Sequence, residues 1–222
     1  MLKVVILDSG YGGEFFADRF EEEVGVVEVI RVIDWRHSEQ YLTKPKAARE
    51  LAITALRPYI GKVDLIILAN HLLSATSLTY FKRKYPEQKF VGFKLKQPEC
   101  FTKKQILVLT TKALTKTMAY HGFLFGLKKH RVRAMFIDAW PERIDEGELN
   151  FTEVERAIIK FMDRKHIAPE EIVLMNAQLE DIKPELKRFF GRKVKIYSSF
   201  DDAIREACKL LRIRGSVRKI KH

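Results

Sequence analysis

Val4-Val5-Ile6-Leu7-Asp8-Ser9-Gly10-Tyr11-Gly12-Gly13 is an apolar run that ends in a carboxylate and a hydroxyl and then turns on glycines. A continuous β-rich run bounded by glycine is the pattern of a strand buried on both faces, as in a parallel sheet. Glu14 to Glu23 reads as the helix that follows. The turn sets Asp8 and Ser9 at the carboxyl end of the strand, the edge that faces the ligand crevice in open α/β sheets. The free N–H groups of the helix N-terminus just beyond suit an anion. These opening residues therefore propose a site, with helix capping by Asp8 and Ser9 as the plainer alternative. Gly10 to Gly13 is not a dinucleotide fingerprint, because Phe15 stands at the third glycine position. It is not a phosphate loop either, because no Gly-Lys-Ser/Thr follows.

Outward from this stretch, strands and helices alternate. Val26 to Ile33 predicts a strand, and a helix on Ala48, Leu51, Ala52, Ala55, Leu56 and Tyr59 follows between Pro45 and Gly61. Val63 to Ala69 predicts a third strand ending in Asn70-His71, then a helix over 74–84 and a short strand over 90–93. Residues 94–104 read as a linker. The pattern restarts with a strand over 106–109 ending at Thr110-Thr111, a helix through Tyr120 and a strand over 133–137. A polar loop holding Pro141 and Gly147 leads to a helix over 151–161. A strand over 172–175 ends at Asn176, and a helix over 179–189, a strand over 194–197 and a helix over 200–211 complete the chain. Two runs of this kind predict an α/β fold of two pseudo-symmetric, doubly wound lobes with parallel sheets and a cleft between them. The expected division is 1–95 for the first lobe, 96–200 for the second, and 201–222 for a C-terminal helix and basic tail that packs back on the first.

The 222 residues suit one large domain or two small ones, and 46% hydrophobic content supports a real core. No apolar run reaches the ~20 residues of a membrane span, and the N-terminus lacks a signal-peptide pattern. Cys100 and Cys208 match no metal or redox spacing. Cys208 falls on the apolar face of the last helix, as a small core residue would. A reducing, cytoplasmic home without membrane contact is expected. The net charge of +12 is uneven: residues 1–100 carry 15 Lys and Arg against 13 Asp and Glu, and residues 101–222 carry 26 against 16. A field of that sign attracts nucleic acid or an acidic protein to the second lobe. It is also the field of a merely solvated surface, since no nucleic-acid motif accompanies it and few aromatics interleave the basic runs.

In order along nearly the whole chain, the strand-end motifs resemble those of the glutamate racemase branch of the aspartate/glutamate racemase superfamily. That family opens with Asp-Ser-Gly-x-Gly-Gly, reproduced here by Asp8 to Gly13. Its Pro-Tyr-Gly-x-Lys-Ser segment corresponds to Gln40-Tyr41-Leu42-Thr43-Lys44-Pro45. Its Ala-Cys-Asn-Thr-Ala-Ser-Ala corresponds to Ala69-Asn70-His71-Leu72-Leu73-Ser74-Ala75. The threonine motif of its second lobe matches Thr111, Leu114, Thr117 and Tyr120. Its Gly-Cys-Thr-His-Tyr-Pro falls on Met175-Asn176-Ala177-Gln178-Leu179-Glu180.

The resemblance implies a fold whose members racemise an amino acid without metal or cofactor, using two cysteines on opposite faces of the α-carbon. Both positions fall on asparagine here, Asn70 and Asn176, and a neutral amide cannot cycle a proton. The helper histidine falls on Gln178. Family hydroxyls fall on Leu72, Leu114 and Ala177, which fill volume with apolar groups and remove hydrogen bonds.

The expectation is a racemase-like pseudoenzyme with a binding or structural role. Asp8, Ser9, Tyr41, Thr111 and Gln178 would form the remnant of a substrate site for a small carboxylate in the interlobe cleft. One alternative is a divergent superfamily enzyme in which His71, paired with Asp8, supplies acid/base chemistry. Against it stands a plain structural histidine. Another is a nucleic-acid-associated protein. No metal is expected: His37 with Asp34 and Glu39 has unspecific spacing, and the segment reads as a surface loop. A homodimer is implied by the resemblance alone.

Overall fold

The computed structural model describes residues 1–95 and 98–213. Arg214, Arg218, Lys219 and Lys221 of the basic tail, and Lys96 of the expected linker, lie outside the described residues. The first lobe runs β1 (Leu2–Asp8), α1 (Tyr11–Val24), β2 (Val27–Ile33), α2 (Ser38–Thr43), α3 (Pro45–Leu56), β3 (Leu65–Leu68), α4 (His71–Lys84) and β4 (Phe90–Gly92). The second runs β5 (Gln105–Thr110), α5 (Lys112–Thr115), α6 (Met118–Gly126), β6 (Arg131–Phe136), α7 (Trp140–Asp145), α8 (Phe151–Lys165), β7 (Glu171–Leu174), α9 (Lys183–Phe190) and β8 (Lys195–Tyr197). Then comes α10 (Phe200–Leu211). Each lobe holds a four-stranded parallel sheet, in the orders β2-β1-β3-β4 and β6-β5-β7-β8. The two sheets repeat one topology, and the α/β reading of two doubly wound lobes holds.

The continuous apolar run of β1 follows from its central place. Val4 and Ile6 face one core with Phe16, Phe20 and Phe93, while Val5 and Leu7 face another with Ala48, Ala52 and Phe81. A strand with helices on both sides has no polar face to show. The last helix returns to the first sheet. Phe200 packs edge-on to Phe16 with ring centroids 4.9 Å apart, and Ala203, Ile204, Ala207 and Leu211 join the same core. In the second lobe Leu107, Leu109, Ile172 and Leu174 pack with Val154 and Ile158 of α8 and Leu186 of α9. The opposite face, Ile106, Val108 and Val173, meets Tyr120 and Phe123 of α6.

Four segments differ from expectation. The polar stretch expected as a loop contains α7, whose Pro141 lies in the first turn, where its missing N–H costs nothing, while Gly147 closes the stretch at φ 70°. The helix expected through Tyr120 is two, because the Thr117 hydroxyl accepts from Tyr120 N and starts α6 anew. The helix expected over 179–189 is a 3-10 turn, Ala177–Glu180, followed by α9. Trp35–His37, expected as a surface loop, is a 3-10 turn running into α2. Among the described residues no helix is long and apolar enough to cross a membrane.

Candidate functional site

The parallel order gathers the carboxyl ends of β1, β3, β5 and β7, and the two lobes meet along these ends. Gly12, in the first turn of α1, lies against the second lobe so closely that a Cβ there would sit 2.7 Å from the Ala177 carbonyl carbon. A Cβ on Gly10 would overlap the Asp145 carboxylate and the Gln178 amide. The glycines of the opening motif thus permit the contact between the lobes. The apolar side chains at the seam interchange. Leu72 belongs to the core of the second lobe, and Ala177 to the core of the first.

The anion place expected at the start of α1 is already filled by the protein. Tyr11 N donates to Asp145 Oδ1 at 2.9 Å, and Gln178 Nε2 donates to Asp145 Oδ2 at 3.2 Å. Burial and the nearby Glu142 and Glu146 raise the Asp145 carboxyl above its ordinary range, while these two hydrogen bonds oppose the rise. Asp8 and Ser9 do not cap α1: the capping position is Gly10, without a side-chain bond.

Asp8 is wholly buried, and Asn70 Nδ2 donates to its Oδ1 at 3.1 Å. Its Oδ2 has no hydrogen-bond partner among the described residues. Burial pushes its pKa up to about 7, with the Asn70 bond pulling the other way. Asn70 Oδ1 accepts from Leu73 N, and Asn176 Oδ1 accepts from Gln178 N, each at 3.0 Å. Both asparagines are therefore N-caps of the segments after their strands, a role for which Asn ranks among the best residues. The Thr111 hydroxyl does the same for α5, accepting from Leu114 N. Ser9 and Tyr41 are buried too. The Tyr41 hydroxyl lacks a partner among the described residues, and burial together with Asp34 and Asp8 holds its pKa high.

His71 makes no hydrogen bond to Asp8 among the described residues. Its Nε2 lies 2.9 Å from Ser199 Oγ, and that hydroxyl donates to the Lys94 carbonyl. The histidine is thus the donor in the first contact. Burial drops its pKa to about 3, so the ring is neutral at ordinary pH. It ties the start of α4 to the start of α10, edge-on to Phe93. His37 is bonded to Asp34 at 2.8 Å, whereas Glu39 pairs with Lys44. Among the described residues no group of three or more His, Cys, Asp or Glu is placed to hold a metal. Cys100 is exposed, and Cys208 is partly buried against the first core with its thiol pushed up by burial.

Two spaces at the seam bear on the site. The inner one, between Asn70 and Asn176 and walled by Leu42, Leu72, Leu114 and Ala177, measures about 10 Å³. That is room for about one water. The outer one, at the cleft mouth, measures about 500 Å³. Its carboxylates are Glu39, Asp138, Glu142, Asp145 and Glu146, no Lys or Arg lines it among the described residues, and Trp35 and Leu42 supply apolar wall. Sequence reasoning missed this acidic mouth because it read α7 as a loop. Pro141 followed by Glu142 is the signal of a helix start that could have found it.

No protein-family model matches the sequence, and no curated protein matches it. Solved structures do. This two-lobe fold is shared with solved glutamate racemases and allantoin racemases. Glutamate racemase from Campylobacter jejuni superposes with a TM-score of 0.79 at 23% identity, over 98% of this chain and 88% of that one. Escherichia coli glutamate racemase, in complex with L-glutamate and the activator UDP-MurNAc-Ala, gives 0.79 at 17% identity, over 96% and 83%. Allantoin racemase from Klebsiella pneumoniae gives 0.60 at 14% identity, over 100% and 92%. The chain is similar to these proteins in fold.

Proposed function

We propose that this protein is a racemase-fold pseudoenzyme, which keeps the two-lobe frame and does not racemise by cysteine chemistry. The observation that carries the reading is the use of both strand-end asparagines. By the sequence resemblance Asn70 and Asn176 stand where the family has its two proton-transfer cysteines, and here each amide caps the segment after its strand. Neither side chain titrates. The inner space of about 10 Å³ supports the reading further, since an amino acid does not fit beside Leu72 and Leu114.

The role left to the cleft is binding at its mouth, where the carboxylates oppose an anionic ligand such as the L-glutamate of the Escherichia coli complex. A divergent enzyme acting on a small acid would have to rely on Asp8, the buried carboxyl with a pKa of about 7. His71 adds nothing to it, being neutral and bonded to Ser199.

The test is exchange at the α-carbon. D- and L-glutamate and aspartate are incubated with the protein in deuterium oxide and followed by proton NMR and chiral chromatography. The expected outcome is no protein-dependent loss of the α-proton signal and no enantiomer interconversion. Exchange that depends on the protein and disappears in Asp8→Asn would establish an enzyme in place of a pseudoenzyme.

A further inference from the structure

We propose that the surface built by α5, α6 and the edge strand β6 binds single-stranded nucleic acid. Residues 101–137 contain eight Lys and Arg and no Asp or Glu. The fold lays this stretch along one side of the second lobe, with Lys112 and Phe136 at the carboxyl ends of β5 and β6 and Phe125 and Lys128 toward their amino ends. β6 is an edge of its sheet, and α6 lies over the adjoining face, with Tyr120, Phe123 and Leu127 packed on Ile106, Val108 and Val132.

The outward side of α6, apart from His121, carries apolar side chains where a surface helix is ordinarily polar. Met118 is 84% exposed and Phe125 73%. Phe136, at the end of β6, is 49% exposed. Each phenylalanine has a lysine against its ring: Lys128 Nζ lies 5.2 Å from the Phe125 centroid, and Lys112 Nζ 6.0 Å from that of Phe136.

These cations are not neutralised. Lys112, Lys116, Lys128 and Lys129 are exposed and form no ion pair among the described residues. In the first lobe, by contrast, Arg31 is paired with Glu14, Asp18 and Glu21, and Arg19 with Glu23 and Asp201. Asp138, just past β6, accepts the backbone N–H of Lys112, and Glu171 accepts that of Lys103.

An unpaired positive field calls for an anion, and flat exposed rings call for a flat apolar partner. A phosphodiester chain with unpaired bases meets both requirements. A duplex hides its base faces and meets the first alone. A second copy of this surface is repelled by like charge. The outward side of α6 offers no Asn, Gln or Arg to read base edges, so binding is expected to be largely indifferent to sequence. Along the sequence few aromatics interleave the basic runs, which argues against stacking. The fold brings them in from α6 and from the end of β6.

The test is fluorescence anisotropy with the full chain and labelled oligothymidylate of about 20 nucleotides, against a duplex of equal length and against anionic phosphatidylserine vesicles. Expected is tighter binding to the single strand, with log affinity falling linearly with log salt at about −0.7 per phosphate contacted. Phe125→Ala, a change at an exposed position, is expected to weaken binding about tenfold at an unchanged salt slope. Lys128→Gln is expected to lower the slope by about one contact. Circular dichroism confirms that both variants are folded. The proposal is overturned by absence of binding at low salt or by equal or tighter binding to the duplex. It is also overturned by stronger capture on vesicles, or by full affinity in Phe125→Ala, which is what binding through the chain's last residues would give.

Discussion

The two strand ends that meet at the seam share a design and differ in one group. In each lobe the strand beside the central one ends in asparagine, and each asparagine caps the segment that follows. In the first lobe Asn70 also donates to Asp8, a buried carboxyl held near pKa 7. In the second lobe the equivalent end of β5 carries Thr110 and Thr111, which do not titrate. Proton chemistry on both faces of a substrate needs a titratable group on each side. Here one side has a carboxyl and the other has hydroxyls and an amide. The difference puts a titratable group at the first strand end, while the second strand end is built from capping groups that do not titrate.

The strongest way to break that comparison is Asp8→Asn. The folded pKa of Asp8 is raised from 3.8 to about 7, so folding favours the protonated form. Its contribution to stability is fully present below about pH 4, is lost as pH rises through about 7, and stays lost above that. At about 1.4 kcal/mol per pK unit the loss is on the order of 4 kcal/mol. The neutral amide can still accept the Asn70 bond. Expected in urea unfolding is a variant more stable than the wild type at pH 8, equal to it at pH 4, and flat between. A wild type whose stability does not fall over this interval would remove the distinction between the two ends.

A smaller effect separates the two asparagines. Asn176→Ala removes one cap, costing about 0.5–2 kcal/mol. Asn70→Ala removes a cap and also the donor to a buried carboxyl, so its cost should be larger by about 1–3 kcal/mol. Measured in an Asp8→Asn background, the Asn70 effect should shrink and the Asn176 effect should not, as a double-mutant cycle would show. Because the bond survives in Asp8→Asn, equal costs with no coupling would mean that the Asp8 charge adds nothing to it.

How far each part could be read from sequence follows from where its partners lie. β1, β3, β5 and β7 are the strands buried on both faces, and their unbroken apolar runs declare them. Val4 and Val5 face different cores, and no polar residue is needed between them. The edge strand β6 carries Arg131 and Arg133, and its start was placed late for that reason. The strand-end asparagines were legible as positions, because each follows its apolar run. Their capping role was not, since a capping amide and a displaced base look the same in a string of letters. Leu72 and Ala177 read as lost hydroxyls. That each joins the core of the other lobe is a fact of the folded pair of lobes. Asp145 was out of reach, because its partner Tyr11 is 134 residues away and α7 looked like a polar loop.

That residue offers the finest test of the seam. Two forces act on the Asp145 carboxylate. The N-terminus of α1 favours an anion, by about 0.3–1 kcal/mol in ordinary settings. Burial and the neighbouring Glu142 and Glu146 disfavour it, and they prevail, since the pKa is raised. In Asp145→Asn the Tyr11 N–H can still find an oxygen, and Gln178 can turn its amide to accept from the new NH₂. Both hydrogen bonds survive in neutral form. The variant should therefore match or slightly exceed wild-type stability at pH 7, by less than about 1 kcal/mol, and the gain should vanish in acid, where the wild-type carboxyl is itself protonated. A loss above that size at pH 7 would show that the negative charge at the start of α1 holds the lobes together. The crowding of carboxylates at the cleft mouth would then be the smaller force.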